Sequence, residues 1–273
     1  MPEPEQTIDI ERLASLLDDP DEAVAVSAMA ELLNREEELG DLPGRLQEHP
    51  DPLMRRRIHQ LQSALTMIRR RRALTALFQE KNIDFANALI QIHLQWFDRD
   101  SENAVRKKMH SFCNLLKQHP AENLAEIGDA FAACAIVPCP VTTLKIEQYC
   151  LGVMLDERCG AAPLWCGLIC SLYPHLSLQT VCCGGRFGVS DGREILIPEN
   201  SWQVSPLVAP DQFELWTQQS LLYMTAMTLF SAAVNSDSFR YILTLAQAIT
   251  GNESSSSLAA LPYPYNPELG EFS

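Results

Sequence analysis

The sequence predicts an α+β fold, predominantly helical, with one small antiparallel sheet in its second half. Three observations predict it. Apolar residues recur at helical spacing up to Phe131 and again from Phe213 onward. Between Thr180 and Ile197 the pattern turns extended, with short β-branched runs bounded by glycines. Within that stretch, Ser190-Asp191-Gly192-Arg193 reads as a hairpin turn, because Asp-Gly supplies the positive φ a tight turn needs.

Composition sets the outer bounds. The 273 residues fit one large domain or two small ones, and an apolar content of 47% supports a substantial core. A formal net charge of −14 disfavours nucleic acid as a partner and leaves a protein or peptide. No run approaches the roughly 18 apolar residues of a membrane span, so no membrane partner is expected. The acidic start, Met1-Pro2-Glu3-Pro4-Glu5-Gln6, does not read as an export signal, and a cytoplasmic location is expected. On that basis the nine cysteines are expected to be reduced thiols. Cys166 and Cys170, four apart on one helix face, have the spacing to share a metal. Small apolar core residues are the stronger reading, and no metal or cofactor is expected.

Leu13, Leu16 and Leu17 open the first helix, which Asp18-Asp19-Pro20-Asp21 breaks. Asp21 then caps a helix whose inner face is Val24, Ala28 and Leu32. The unit returns after His49-Pro50-Asp51-Pro52, with Ile58, Leu61 and Leu65 inside. Asp51 follows Asp21 by 30 residues. That period, with its Asp-Pro turns, resembles HEAT repeats and assigns residues 1–78 to a HEAT-like front.

Arg55, Arg56, Arg57, Arg69, Arg70, Arg71 and Arg72 hold a third of the 21 basic residues, and no acid lies between Leu53 and Gln79. These arginines are candidates for docking an acidic partner. A solvated face, or pairing with the chain's own acids, is the plainer alternative and the favoured one.

Helices follow around Phe85 to Phe97, Val105 to Leu116 and Leu124 to Phe131, with aromatics spaced as core. Val137-Pro138-Cys139-Pro140 reads as a stiff break and an internal boundary. The chain then reaches its organising stretch. Leu151 to Leu155 and Leu164 to Leu172 are helical and apolar, and Thr180 to Val189 and Glu194 to Ile197 are strands. Gly184-Gly185 lacks the lysine and helix of a phosphate loop, and reads as a bend in one strand.

This stretch resembles the bacterial transglutaminase-like family that carries a HEAT-like front and a tetratricopeptide-like tail. Arg158-Cys159-Gly160 stands where the family has R-x-G, and leads into Leu164-Trp165-Cys166-Gly167-Leu168. Gly185-Arg186-Phe187-Gly188-Val189 matches G-H-F-L-V, and Ile197-Pro198-Glu199-Asn200 matches I-D-P-F. The resemblance implies a transglutaminase-like core over residues 79–210 and a tetratricopeptide-like helix pair over 211–251; beyond it, four serines and then Pro262, Pro264 and Pro267 suggest a flexible tail over 252–273.

It also implies a Cys, His and Asp at positions that here read Ala162, Arg186 and Pro198. A methyl group cannot attack a carbonyl, a guanidinium cannot act as a base, and proline cannot orient one. The expected function is therefore a non-catalytic interaction or scaffold module. Arg186, at the lost histidine position, is expected to face a cleft and meet a partner's anion. The alternative is a cysteine-dependent amide hydrolase or acyl transferase with a relocated nucleophile. Cys166, one helical turn past Ala162, with His175 as base, is its candidate pair.

Overall fold

The computed structural model describes residues 9–80, 82–139, 145–207, 213–236 and 238–250. It divides into two compact units between Arg70 and Arg71. That point lies inside a helix, not at its end near residue 78. The expected flexible tail, 252–273, falls outside the described residues.

The first unit is helical, as its periodicity predicts. It contains α1 (Ile10–Ser15), α2 (Glu22–Asn34), α3 (Leu42–Arg45) and the first part of α4 (Pro52–Gln79). Both Asp-Pro turns start helices by the expected chemistry. The Asp21 carboxylate accepts from the Ala23 N–H, and Asp51 from the Leu53 N–H at 2.7 Å. The buried face of α2 is Ala25, Ala28 and Leu32, and the last two meet Leu17, Ile58 and Leu61 in one apolar cluster. Val24 is only half-buried.

In the second unit, α5 (Phe85–Trp96), α6 (Glu102–Leu116) and α7 (Leu124–Ala133) each begin at a capping side chain. Asp84, Ser101 and Asn123 accept from backbone N–H groups two or three residues into the helix, a contribution of about 1 kcal/mol each. Next come β1 (Val137–Pro138), α8 (Leu151–Glu157), β2 (Cys159–Gly160) and α9 (Ala162–Leu172). Trp165, Phe131 and Phe85 are enclosed in a core to which every one of these helices contributes. Phe131 meets Trp165 edge to face at 6.1 Å, the arrangement aromatic quadrupoles favour.

The boundary expected at Val137-Pro138-Cys139-Pro140, of which Pro140 lies outside the described residues, is not one. β1 pairs in parallel with β2, and Cys139 and Cys159 form a disulfide with Cα atoms 5.8 Å apart. Residues on both sides share one apolar core. The expectation of reduced thiols fails for these two cysteines. No periodicity in the sequence brings positions 139 and 159 together; the β1–β2 pairing does.

The sheet has five strands in the order β6-β5-β4-β3-β7, all antiparallel. They are β3 (Gln179–Cys183), β4 (Arg186–Ser190), β5 (Glu194–Ile197), β6 (Gln203–Pro206) and β7 (Glu214–Trp216). β4 and β5 join through Asp191-Gly192 as predicted. Gly192 has φ 90°, and the Asp191 carboxylate accepts from the N–H groups of Arg193 and Glu194. The strand expected over 180–189 is instead two strands. Gly184 (φ 55°) and Gly185 (φ 81°) form a two-residue hairpin turn, whose two positive φ angles glycine adopts without a Cβ clash.

The tail helix expected from Phe213 is also corrected. β7 occupies 214–216 and pairs Trp216 with Thr180, so α10 (Gln218–Asn235) starts only after the Thr217 cap. The open flank of β3 offered those residues a ladder before the helix began. α10 packs on α5, α9 and α11 (Phe239–Thr250). Leu222, Phe230, Ile242 and Leu245 of this helix pair enter the core.

Candidate functional site

The elements that carry Ala162, Arg186 and Pro198 do meet. α9 packs against β3, β4 and the Pro198–Asn200 turn. Their side chains do not form a site. Ala162 is a buried methyl at the first position of α9, ahead of Pro163. Pro198 is buried, and its carbonyl accepts from the Trp202 N–H.

Arg186 corrects the expectation placed on it. Its side chain is exposed and makes no hydrogen bond or ion pair among the described residues. The cause is the Gly184-Gly185 turn, which puts Arg186 first on β4, opposite Cys183 at the hairpin tip. The match to the lost histidine position had it facing a cleft; at the hairpin tip it faces water.

The fallback pair is not assembled either. Cys166 is 0% exposed, and burial, reinforced by nearby Cys170 and Glu199, pushes its thiol well above the usual range. His175 is exposed in the Pro174–Leu176 turn, with Tyr173 as its ring neighbour at 6.2 Å. Cys170 instead meets the Thr180 hydroxyl at 3.5 Å. Among the described residues no three His, Cys, Asp or Glu side chains converge as metal ligands.

The arginines do not form one solvent-facing stripe. Arg57 is buried, donating to the Leu17 and Asp19 carbonyls at 2.7 Å and to Glu22 at 2.9 Å. Arg55 donates to the His49 and Pro50 carbonyls, and Arg69 to Glu36. Arg71 reaches the Thr244 hydroxyl at 2.9 Å, and Arg70 and Arg72 also have partners. Arg56 alone of the seven is exposed without a hydrogen bond or ion pair among the described residues. Two of these guanidiniums brace the Asp-Pro turns, because five fixed donors suit carbonyls left over at a helix break. The docking-surface reading is thereby corrected toward the plainer one.

Two features escaped the sequence reading. The first is His93, 1% exposed on α5. Its Nδ1 accepts from the Gly152 N–H at 3.3 Å, so the proton sits on Nε2, which donates to Asp100 at 2.9 Å. Burial lowers its pKa, against the opposing pull of Asp100. A histidine on an apolar helix face carried no sequence signal beyond core.

The second is an open cleft of about 340 Å³ lined by α6, α8 and the turn after α7. Lys107, Lys108 and Arg158 stand around it, with Asp156 the one acid. Phe112, Leu115, Ile136 and Leu155 supply its apolar lining. Lys108 pairs with Asp156, whereas Lys107 and Arg158 make no ion pair among the described residues. The adjacent lysines on an amphipathic helix were the only sequence signal for it, and Arg158 joins them only through tertiary contact.

Fold and site together define a mostly helical α+β protein carrying a five-stranded antiparallel sheet. No family model, curated protein or solved structure matches the chain. Among the described residues no helix is long and apolar enough to cross a membrane.

Proposed function

We propose that this chain is a non-catalytic protein-interaction module built on a degenerate transglutaminase-like core, and that it takes an extended peptide along the outer edge of β7. The observation that carries the reading is Leu215, 67% exposed in the middle of that edge strand. β7 pairs with β3 on one side, and among the described residues nothing pairs with its other side. Free backbone donors and acceptors beside an outward apolar side chain are what strand addition uses. On the neighbouring positions, Trp216 is held by Phe187 at 5.0 Å, which stiffens the edge. Selection from a random-peptide library on the immobilised protein is expected to yield binders whose capture falls about tenfold in Leu215→Lys, the loss of one anchor. Binders indifferent to Leu215→Lys would place recognition elsewhere.

The full burial of Cys166, which raises the pKa of its thiol, is the other support. Iodoacetamide at neutral pH is expected to label half-buried Cys113 and Cys183 before Cys166, none faster than a small free thiol. A fast-labelling Cys166 would favour the acyl-transfer alternative instead.

A further inference from the structure

We propose that the cleft between α6 and α8 binds a small organic acid, with its anionic head between Lys107 and Arg158 and its apolar body against Leu115 and Leu155. The proposal is independent of the strand-addition reading. A cavity of about 340 Å³ is at the small end of the range in which proteins hold small molecules. Its charge is opposite to that of the chain. Three cations and one carboxylate line it in a protein of net charge −14. Asp156 neutralises Lys108, which leaves two positive groups without a counter-ion among the described residues.

Unlike exposed Arg56 and Arg186, which also lack an ion pair among the described residues, these two cations stand beside an apolar lining. Arg35, Arg45, Arg57, Arg69 and Arg106 each have a carboxylate within ion-pair distance. A protein with a surplus of acids that keeps two cations unpaired beside an apolar floor has the makings of an anion site.

Arg158 is also pre-positioned. It caps the end of α8 with φ 51°, a left-handed conformation that costs a non-glycine residue about 1 kcal/mol or more. Three tethers hold it there. Its guanidinium donates to the Cys134 carbonyl at 3.0 Å, its own carbonyl accepts from the Val137 N–H at 2.8 Å, and the next residue, Cys159, is disulfide-bonded to Cys139. One face of the guanidinium fork is thus anchored, and the remaining N–H groups are left for a carboxylate or phosphate oxygen pair. A fixed fork loses little freedom on binding. The apolar floor does not move either. Phe112 and Ile136 beneath it belong to the core and are 9% and 2% exposed. Ser111, exposed on the same turn of α6, adds a hydroxyl at the rim.

Isothermal titration of the full chain with octanoate tests this, with octanamide as the uncharged counterpart and phenyl phosphate as an alternative head. Octanoate or phenyl phosphate is expected to bind one to one, with octanamide weaker by about tenfold or more. Lys107→Met, on an exposed helix face, is expected to weaken the acid about fivefold and leave octanamide unchanged. Arg158→Gly removes the guanidinium while suiting the positive φ, and is expected to weaken it about tenfold. Asp156→Asn frees Lys108 and is expected to tighten binding about threefold. The proposal is overturned if neither acid binds, if octanamide binds as well as octanoate, or if Lys107→Met leaves the acid's affinity unchanged. Should Arg158→Gly fail to fold, the Lys107→Met and Asp156→Asn pair still decides, because their effects are expected in opposite directions.

Discussion

Gly128→Ala is expected to destabilise the second unit by about 2–3 kcal/mol, the upper part of the range for overpacking a rigid site. Gly128 lies on α7, and a Cβ built there would stand 2.3 Å from the Trp202 carbonyl oxygen and 3.0 Å from the Leu196 side chain. The near atom is backbone, and that backbone is not free to retreat. Trp202 sits at φ 62°, its indole N–H donates to the Ile136 carbonyl at 2.7 Å, and its ring lies 4.8 Å from that of Phe131. A small methyl therefore has to push apart α7 and the start of β6, the contact through which this helix covers the sheet. The midpoint of chemical unfolding, followed by the near-ultraviolet signal of the buried tryptophans, reads the effect. Gly44→Ala is the control. Nothing lies within 4 Å of its Cβ position, and its helical setting makes alanine neutral or slightly better. Equal, small effects at the two positions would mean that α7 can slide.

The second large effect concerns His93. Replacing it with leucine is expected to cost about 3 kcal/mol, because the buried Gly152 N–H is left without its acceptor, the hydrogen bond to Asp100 is removed and the side chain's shape is only roughly kept. The ring fits closely: a Cβ on Gly152 would lie 2.5 Å from its Cε1.

The pH dependence carries a definite sign. Burial is the first cause and lowers the folded pKa below 6.5, with Lys108 adding to it. Asp100 and Asp156 oppose that shift without reversing it. The unfolded chain then binds the proton more readily than the folded one. Stability is fully present above pH 6.5 and is lost as pH falls from there through the folded pKa. Unfolding free energies measured between pH 8 and about pH 5 should decline on the acid side in the wild type. The same decline should be shallower in His93→Leu. An unchanged slope in the variant would assign the acid sensitivity to other groups.

His93 and the cleft are also physically linked. Lys108 and Asp156, which pair at the cleft rim, are among the charges felt by the buried imidazole. Asp156→Asn removes an anion that favours the charged histidine, so it should slightly steepen the loss of stability on acidification. It is expected at the same time to strengthen the binding of an organic acid.

Much of the architecture was legible in the chain itself. Local chemistry fixed the Asp21 and Asp51 helix starts and the Asp191-Gly192 hairpin, since each depends on residues within a few positions of one another. Apolar spacing identified the helices that build the core, because a buried face has to repeat with the helical period. That no helix among the described residues is long and apolar enough to cross a membrane likewise needed only the length of the apolar runs.

What the tertiary structure decided were the outcomes of competition between distant partners. Residues 214–216 carry a helix-compatible pattern, yet they are strand because β3 has an open flank to satisfy. Arg186 was placed by the position of a turn, and two glycines moved it from a strand interior to a tip in water. Cys139 found Cys159 only because a short parallel pairing aligned them. The arginines of α4 looked alike in sequence, and only packing separated buried Arg57 from exposed Arg56. Arg158 joined Lys107 for the same reason: charge is written in sequence order, whereas an anion site is a matter of distance in space.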